Sequence, residues 1–144
     1  MAIDGFNLLI LLESALGGAV VLTGRDGTYR DLGSVHGTYK HVRHTEPALL
    51  RTGEALRAAA AVTWYFDQPV SNSGRLKTRL RELAATHGFD WAVELVYNPD
   101  RALIDLPDET VVITSDSWVL DECGAWCNLG RELLKGEDCW RLEF

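Results

Sequence analysis

Short apolar runs that end on a carboxylate punctuate this chain. Met1-Ala2-Ile3 leads into Asp4, Thr63-Trp64-Tyr65-Phe66 into Asp67, and Val111-Val112-Ile113-Thr114-Ser115 into Asp116. Runs of this kind predict buried strands, which here span 61–66 and 110–114, with a further strand over 90–97. Between them the apolar positions switch to a helical period. A helix is expected over 7–16, stopped by Gly17-Gly18. A second runs over 45–60, with Thr45 as cap, Pro47 in the first turn, and Leu49, Leu50, Leu56 and Ala59 inward. A third covers 75–86, where Leu76, Leu80, Leu83 and Ala84 share a face and Gly88 ends it. Two strand-like stretches, 19–23 and 28–32, flank Gly24-Arg25-Asp26-Gly27, and Asp-Gly there predicts a β-hairpin. Residues 98–108 read as a loop or a short helix near 101–103. Residues 117–134 are helical in character with a break at Gly124, and 139–144 suit a final edge strand.

Strands alternating with helices argue for an α/β fold: three α/β/α layers, Rossmann-like, with a mostly parallel central sheet and an inserted hairpin. At 144 residues the chain suits one domain with a normal core. Only three residues precede Asp4, fewer than a central strand usually has, so the first strand is short or the chain is a trimmed part of a longer one.

In a parallel sheet Asp4, Asp67 and Asp116 leave their strands at the same carboxyl edge, where open α/β folds place ligands. Carboxylates gathered there repel one another, and a hard divalent cation, Mg²⁺ or Mn²⁺, is the usual counterweight. Each aspartate also has a bland reading. Asp4 and Asn7 serve as the cap and first turn of a helix, Asp67 as a turn residue before Pro69, and Asp116 as the cap of the helix at Ser117. Asp121 sits a turn further on and can look back at the same edge. Glu13 is able to face the site or water.

Charge divides unevenly along the chain. Net charge is −7 overall, but residues 1–88 carry 10 Lys/Arg against 8 Asp/Glu, and residues 89–144 carry 4 against 13. The balance argues against wholesale coating of nucleic acid, while a phosphate-bearing partner meets the first part of the chain more easily. Residues 33–45 carry three histidines, Lys40 and Arg43, and read either as a solvated connection or as a substrate-binding loop. Arg75 to Arg81 form either a solvated helix face or, through Arg75 and the helix start at Ser73-Gly74, a phosphate contact. No secretory signal or membrane span is legible. Three cysteines, an odd count, fit a reducing cytoplasm and read as core or surface thiols rather than zinc ligands. The five tryptophans read as core residues.

Ile-Asp-Gly-Phe-Asn (3–7), Phe-Asp (66–67) after a central strand and Thr-Ser-Asp-Ser-Trp-Val-Leu-Asp (114–121) after a late one resemble the PIN-like superfamily that includes the NYN nucleases. More closely, Asp-Gly-Phe-Asn (4–7), Val-His-Gly-Thr-Tyr (35–39), Asp-Gln-Pro-Val-Ser-Asn-Ser-Gly (67–74) and Thr-Ser-Asp-Ser (114–117), in that order and spacing, resemble a branch of it catalogued as a domain of unknown function. The resemblance covers most of the chain. It implies a three-layer α/β fold, acidic residues around one or two Mg²⁺ or Mn²⁺ ions, and metal-dependent hydrolysis of RNA. On that reading Asp4, Asp67 and Asp116 are the catalytic carboxylates, Asp4, Asp116 and Asp121 hold the metal, and Asn7, Ser115 and Glu13 orient the site. Arg75, Ser73, Lys40 and Arg43 then contact substrate phosphates. One departure stands out: Trp118 occupies the place where NYN-type members usually carry a second aspartate, and Asp121 is the nearest substitute. Two other readings remain at this stage. One is a binding module that keeps the fold without cutting. The other is a phosphatase-like hydrolase with Asp4 as nucleophile, which such enzymes usually support with an acid where this chain has Phe6. RNA is the expected partner; a homodimer is left open.

Overall fold

The computed structural model describes residues 1–33, 37–59 and 61–143. His36 of the basic loop, Ala60 at the expected end of the second helix and Phe144 of the last strand lie outside the described residues. Eight strands and six helices follow in the order β1 (Ala2–Asp4), α1 (Gly5–Leu16), β2 (Val21–Thr23), β3 (Tyr29–Asp31), α2 (Thr45–Ala55), β4 (Val62–Asp67), α3 (Ser73–His87), β5 (Trp91–Val96), α4 (Pro99–Ile104), β6 (Val111–Ile113), α5 (Ser117–Glu122), β7 (Ala125–Trp126), α6 (Leu129–Leu133) and β8 (Arg141–Glu143), all among the described residues.

A five-stranded sheet in the order β5-β4-β1-β6-β7 forms the centre, and its four pairings are all parallel. Side chains alternate across it with the strand period of two. Ile3, Trp64, Phe66 and Ile113 face the larger apolar cluster, which α1, α2 and α3 complete through Leu9, Leu12, Leu49 and Leu80. Ala2 and Val112 face the smaller cluster, closed by Leu103 of α4 and Val119 of α5. The sheet is therefore flanked by helices on both faces, the α4–α5 side being the thinner layer.

Strand order places the site. From β1 the chain steps one way, to β4 and β5, and then returns to β6 on the other side of β1. The carboxyl ends of β1 and β6 thus lie at a reversal of strand order, where a crevice forms in open parallel sheets. At that edge the chain must turn from strand to helix in one step, and Gly5 permits it. A Cβ at Gly5 would run into the ring of Phe66, so the backbone leaving Asp4 packs directly on the core.

Four expectations change. The hairpin of β2 and β3 forms as expected but belongs to a separate three-stranded sheet with β8, which runs parallel to β2. The helical reading of 117–134 fails at its centre, where Ala125–Trp126 form the edge strand beside β6. Gly124 marks the change, since a Cβ there would lie 2.5 Å from the Asp108 carbonyl oxygen. The second helix ends at Ala55, five residues early. Finally, only Trp64 among the tryptophans is fully buried. Trp91 packs against the core, but Trp118, Trp126 and Trp140 stand exposed on the edges.

Candidate functional site

Asp4 ends β1 and is 93 % buried, with 7 % of its surface exposed. Its side chain makes no helix-capping bond to α1. Instead Thr114, just past β6, donates its hydroxyl to Asp4 Oδ2 at 2.8 Å. The same Thr114 Oγ1 accepts the Asp116 N–H at 3.0 Å, so one hydroxyl fixes the relation between the ends of β1 and β6. Asn7, on the first turn of α1, braces the next residue: its Oδ1 accepts both the N–H and the hydroxyl of Ser115, at 2.9 and 3.0 Å. The Ser115 carbonyl accepts Arg30 Nε from β3 at 2.9 Å. Asp116 does cap α5, its Oδ1 accepting the Val119 N–H at 3.0 Å. The capping reading holds for Asp116 and fails for Asp4.

Five carboxylates line one open cavity of about 230 Å³ at this edge: Asp4, Asp31, Asp67, Asp100 and Asp116. Asn7, Phe6 and Ile10 complete much of the wall, and no basic side chain lines it among the described residues. The topology explains the gathering. Asp4, Asp67 and Asp116 follow β1, β4 and β6, Asp100 opens α4 just after β5, and Asp31 ends β3. Sequence reading missed Asp31 and Asp100, although Asn98-Pro99-Asp100 after the strand over 90–97 carried the same strand-end signal.

The electrostatics follow from burial and crowding. Desolvation, reinforced by Asp100, Asp116 and Asp67, pushes the Asp4 carboxyl up to about 7, against the opposing hydrogen bond from Thr114. Burial also raises Asp67, and burial with Asp116 and Asp67 nearby raises Asp100. Asp31 is raised by burial, and its Oδ2 is buried with no hydrogen-bond partner among the described residues. Carboxylate oxygens are the hard ligands that a divalent cation takes. Among the described residues no three His, Cys, Asp or Glu side chains form a ready-made ligand group.

The other predicted site residues lie elsewhere. Asp121 is exposed on α5 and does not line the cavity. Glu13 is buried beneath the 37–45 segment, where its Oε2 accepts the Tyr39 hydroxyl at 2.7 Å and the Thr45 hydroxyl. It pins that segment to α1 rather than facing the carboxylates. Ser73 is buried and donates its hydroxyl to the Gln68 carbonyl at 3.2 Å. Arg43 is exposed, and its Nε donates to His44 Nε2 at 3.3 Å. Lys40 and Arg75 share a different cavity, beside α3.

A family model described as a domain of unknown function, DUF5616, matches residues 1–132. The chain belongs to the DUF5616 family. The matched span takes in all five carboxylates of the cavity and ends before β8. The DUF5616 chain is also 34 % identical over 119 residues to the uncharacterized protein MJ0935 of Methanocaldococcus jannaschii, an alignment covering 82 % of this chain and 56 % of that protein. It thus spans little more than half the length of the curated relative it matches. No solved structure matches the chain. No helix among the described residues is long and apolar enough to cross a membrane.

Proposed function

We propose that the acidic cavity binds Mg²⁺ or Mn²⁺ and that the domain is a PIN-like, metal-dependent ribonuclease. The observation that carries this reading is the convergence of five strand-end and helix-start aspartates on one cavity without a basic side chain among its described lining residues. Asp4, Asp31, Asp67, Asp100 and Asp116 are the residues that would hold the ion. When bound, such an ion lowers the pKa of its water and screens charge developing on the phosphorus. The chain's own residues do the positioning. Thr114 and Asn7 lock the strand ends so that Asp4 and Asp116 keep their relative place. In the metal-free protein Asp4 is poised near 7, so a proton and the ion would compete for its carboxylate at neutral pH.

The test is cleavage of single-stranded RNA in Mg²⁺ or Mn²⁺ by wild type, Asp4→Asn and Asp116→Asn. Asn preserves shape and, at position 116, the capping oxygen, but removes charge from the cavity. Each variant is expected to lose at least a hundredfold in rate while staying folded, a loss of about 2.7 kcal/mol or more in transition-state stabilisation. Cleavage that survives both substitutions places the activity elsewhere. A catalytically inactive binding module is the second reading. It is favoured by Trp118, a half-exposed indole where active NYN-type relatives carry an acid, and by the lack of a tight ligand group among the described residues. A wild type inert toward all RNAs with divalent metal selects it.

A further inference from the structure

Beside the acidic cavity lies a second one of opposite character. It has a volume of about 390 Å³ and sits between the 39–41 segment and the first turns of α3. Lys40, His41, Arg75 and Arg79 supply its polar lining, and Tyr39 and Leu76 its buried apolar wall. Arg79 is committed to Glu46 and Glu82. Neither Lys40 nor Arg75 makes an ion pair among the described residues, and both are exposed.

The two walls are tied together. Thr38 and Ser71 form a parallel bridge, Tyr39 N–H donates to the Ser71 carbonyl at 3.1 Å, and Ser71 N–H donates to the Gly37 carbonyl at 2.7 Å. Asn72 adopts a left-handed backbone, φ 72°, and its Nδ2 donates to the Tyr39 carbonyl at 2.9 Å. Asn tolerates that conformation better than most residues. Below, Glu13 holds Tyr39 and Thr45. The cavity is thus a built feature whose free cations project from fixed backbone.

Tyr39 and Lys40 line a further hollow of about 440 Å³ that reaches Ile10, and Ile10 also lines the acidic cavity. Two exposed cations above an apolar wall complement a phosphate with a flat base beside it.

We propose that the Lys40–Arg75 cavity holds one phosphorylated nucleotide unit of a single-stranded RNA, its phosphate on Lys40 and Arg75 and its base against Tyr39 and Leu76. The choice of RNA rests on the nuclease reading, but binding is read without metal, so the two fail separately. The probe is a fluorescein-labelled 12-nucleotide single-stranded RNA, titrated by anisotropy in EDTA. Two double variants remove equal charge: Lys40→Gln with Arg75→Gln, and Lys77→Gln with Arg81→Gln on the opposite face of α3. The first pair is expected to weaken binding at least tenfold and to reduce the salt slope of log affinity by about 0.7, the change for one lost phosphate contact on a single strand. The second pair is expected to change affinity less than threefold. Equal losses in the two pairs, or no binding by wild type, overturn the proposal. Competition by adenosine monophosphate assigns the source within it. Displacement shows that a lone nucleotide fills the cavity, and binding that persists shows that neighbouring units of the strand are needed. RNA binding by a wild type that does not cleave sinks the nuclease reading and leaves this one standing.

Discussion

Burial holds the Asp4 carboxyl near 7, and the sign of its effect on stability follows. A folded value raised above the unfolded one means that the native state binds the proton more tightly. The stabilisation is complete below about pH 4, declines as pH rises toward 7, and is lost above it. A rise of that size is worth at most about 4 kcal/mol. Urea denaturation in EDTA should therefore show the wild type losing more stability between pH 5 and pH 8 than Asp4→Asn, with the Asn variant the more stable of the two at pH 8. Wild type and variant with parallel pH profiles would mean that Asp4 ionises freely in the fold. Glu13 illustrates a different economy. Its carboxylate receives two buried hydroxyls, so Glu13→Ala leaves both Tyr39 and Thr45 without their partner. The expected cost is about 2–4 kcal/mol, measurable by denaturation, with faster amide hydrogen exchange in 39–45. An exchange rate there equal to wild type would show that Glu13 does not anchor the segment.

At the scale of elements, strand ends were more legible than strand partners. An apolar run closing on Asp reads directly from local sequence at Asp4, Asp67 and Asp116, because burial and the turn both act on neighbouring residues. Asp100 was legible in the same way but hidden by Pro99, which suggests a loop as much as a helix start; here it opens α4, with Asn98 Oδ1 accepting the Arg101 N–H at 3.1 Å. β7 was not legible. Two residues, one of them a half-exposed Trp126, carry no period, and only pairing with β6 makes them a strand. Asp31 was hidden for a similar reason: the Asp26-Gly27 turn announces the hairpin, but docking of that hairpin beside α1, which brings Asp31 to the cavity, is a long-range event. Asp121, on the six-residue α5, is exposed and stands outside the cavity lining. Glu13 was undecidable from its own helix. Its direction is set by Tyr39 and Thr45, more than twenty residues away.

For the molecule as a whole, the lengthwise division of charge does not survive folding. Asp4, Asp31 and Asp67 come from the basic part of the chain and Asp100 and Asp116 from the acidic part, and the crossover from β5 back to β6 brings them together. The result is an acidic cavity at the sheet edge and a separate cationic one at Lys40 and Arg75, on a domain matched as DUF5616 over nearly its full length. Its central claim, that the carboxylates hold a divalent ion, is reached most directly by thermal melting with and without millimolar MnCl₂. At a hundredfold excess over Kd the stabilisation is about 2.7 kcal/mol, or roughly 5–10 °C for a domain of this size. The shift should be larger at pH 8 than at pH 6, since the proton on Asp4 competes with the metal. It should vanish in the Asp4→Asn, Asp116→Asn double variant. An unchanged melting temperature in wild type, or an equal rise in wild type and double variant, would contradict a metal site in this cavity.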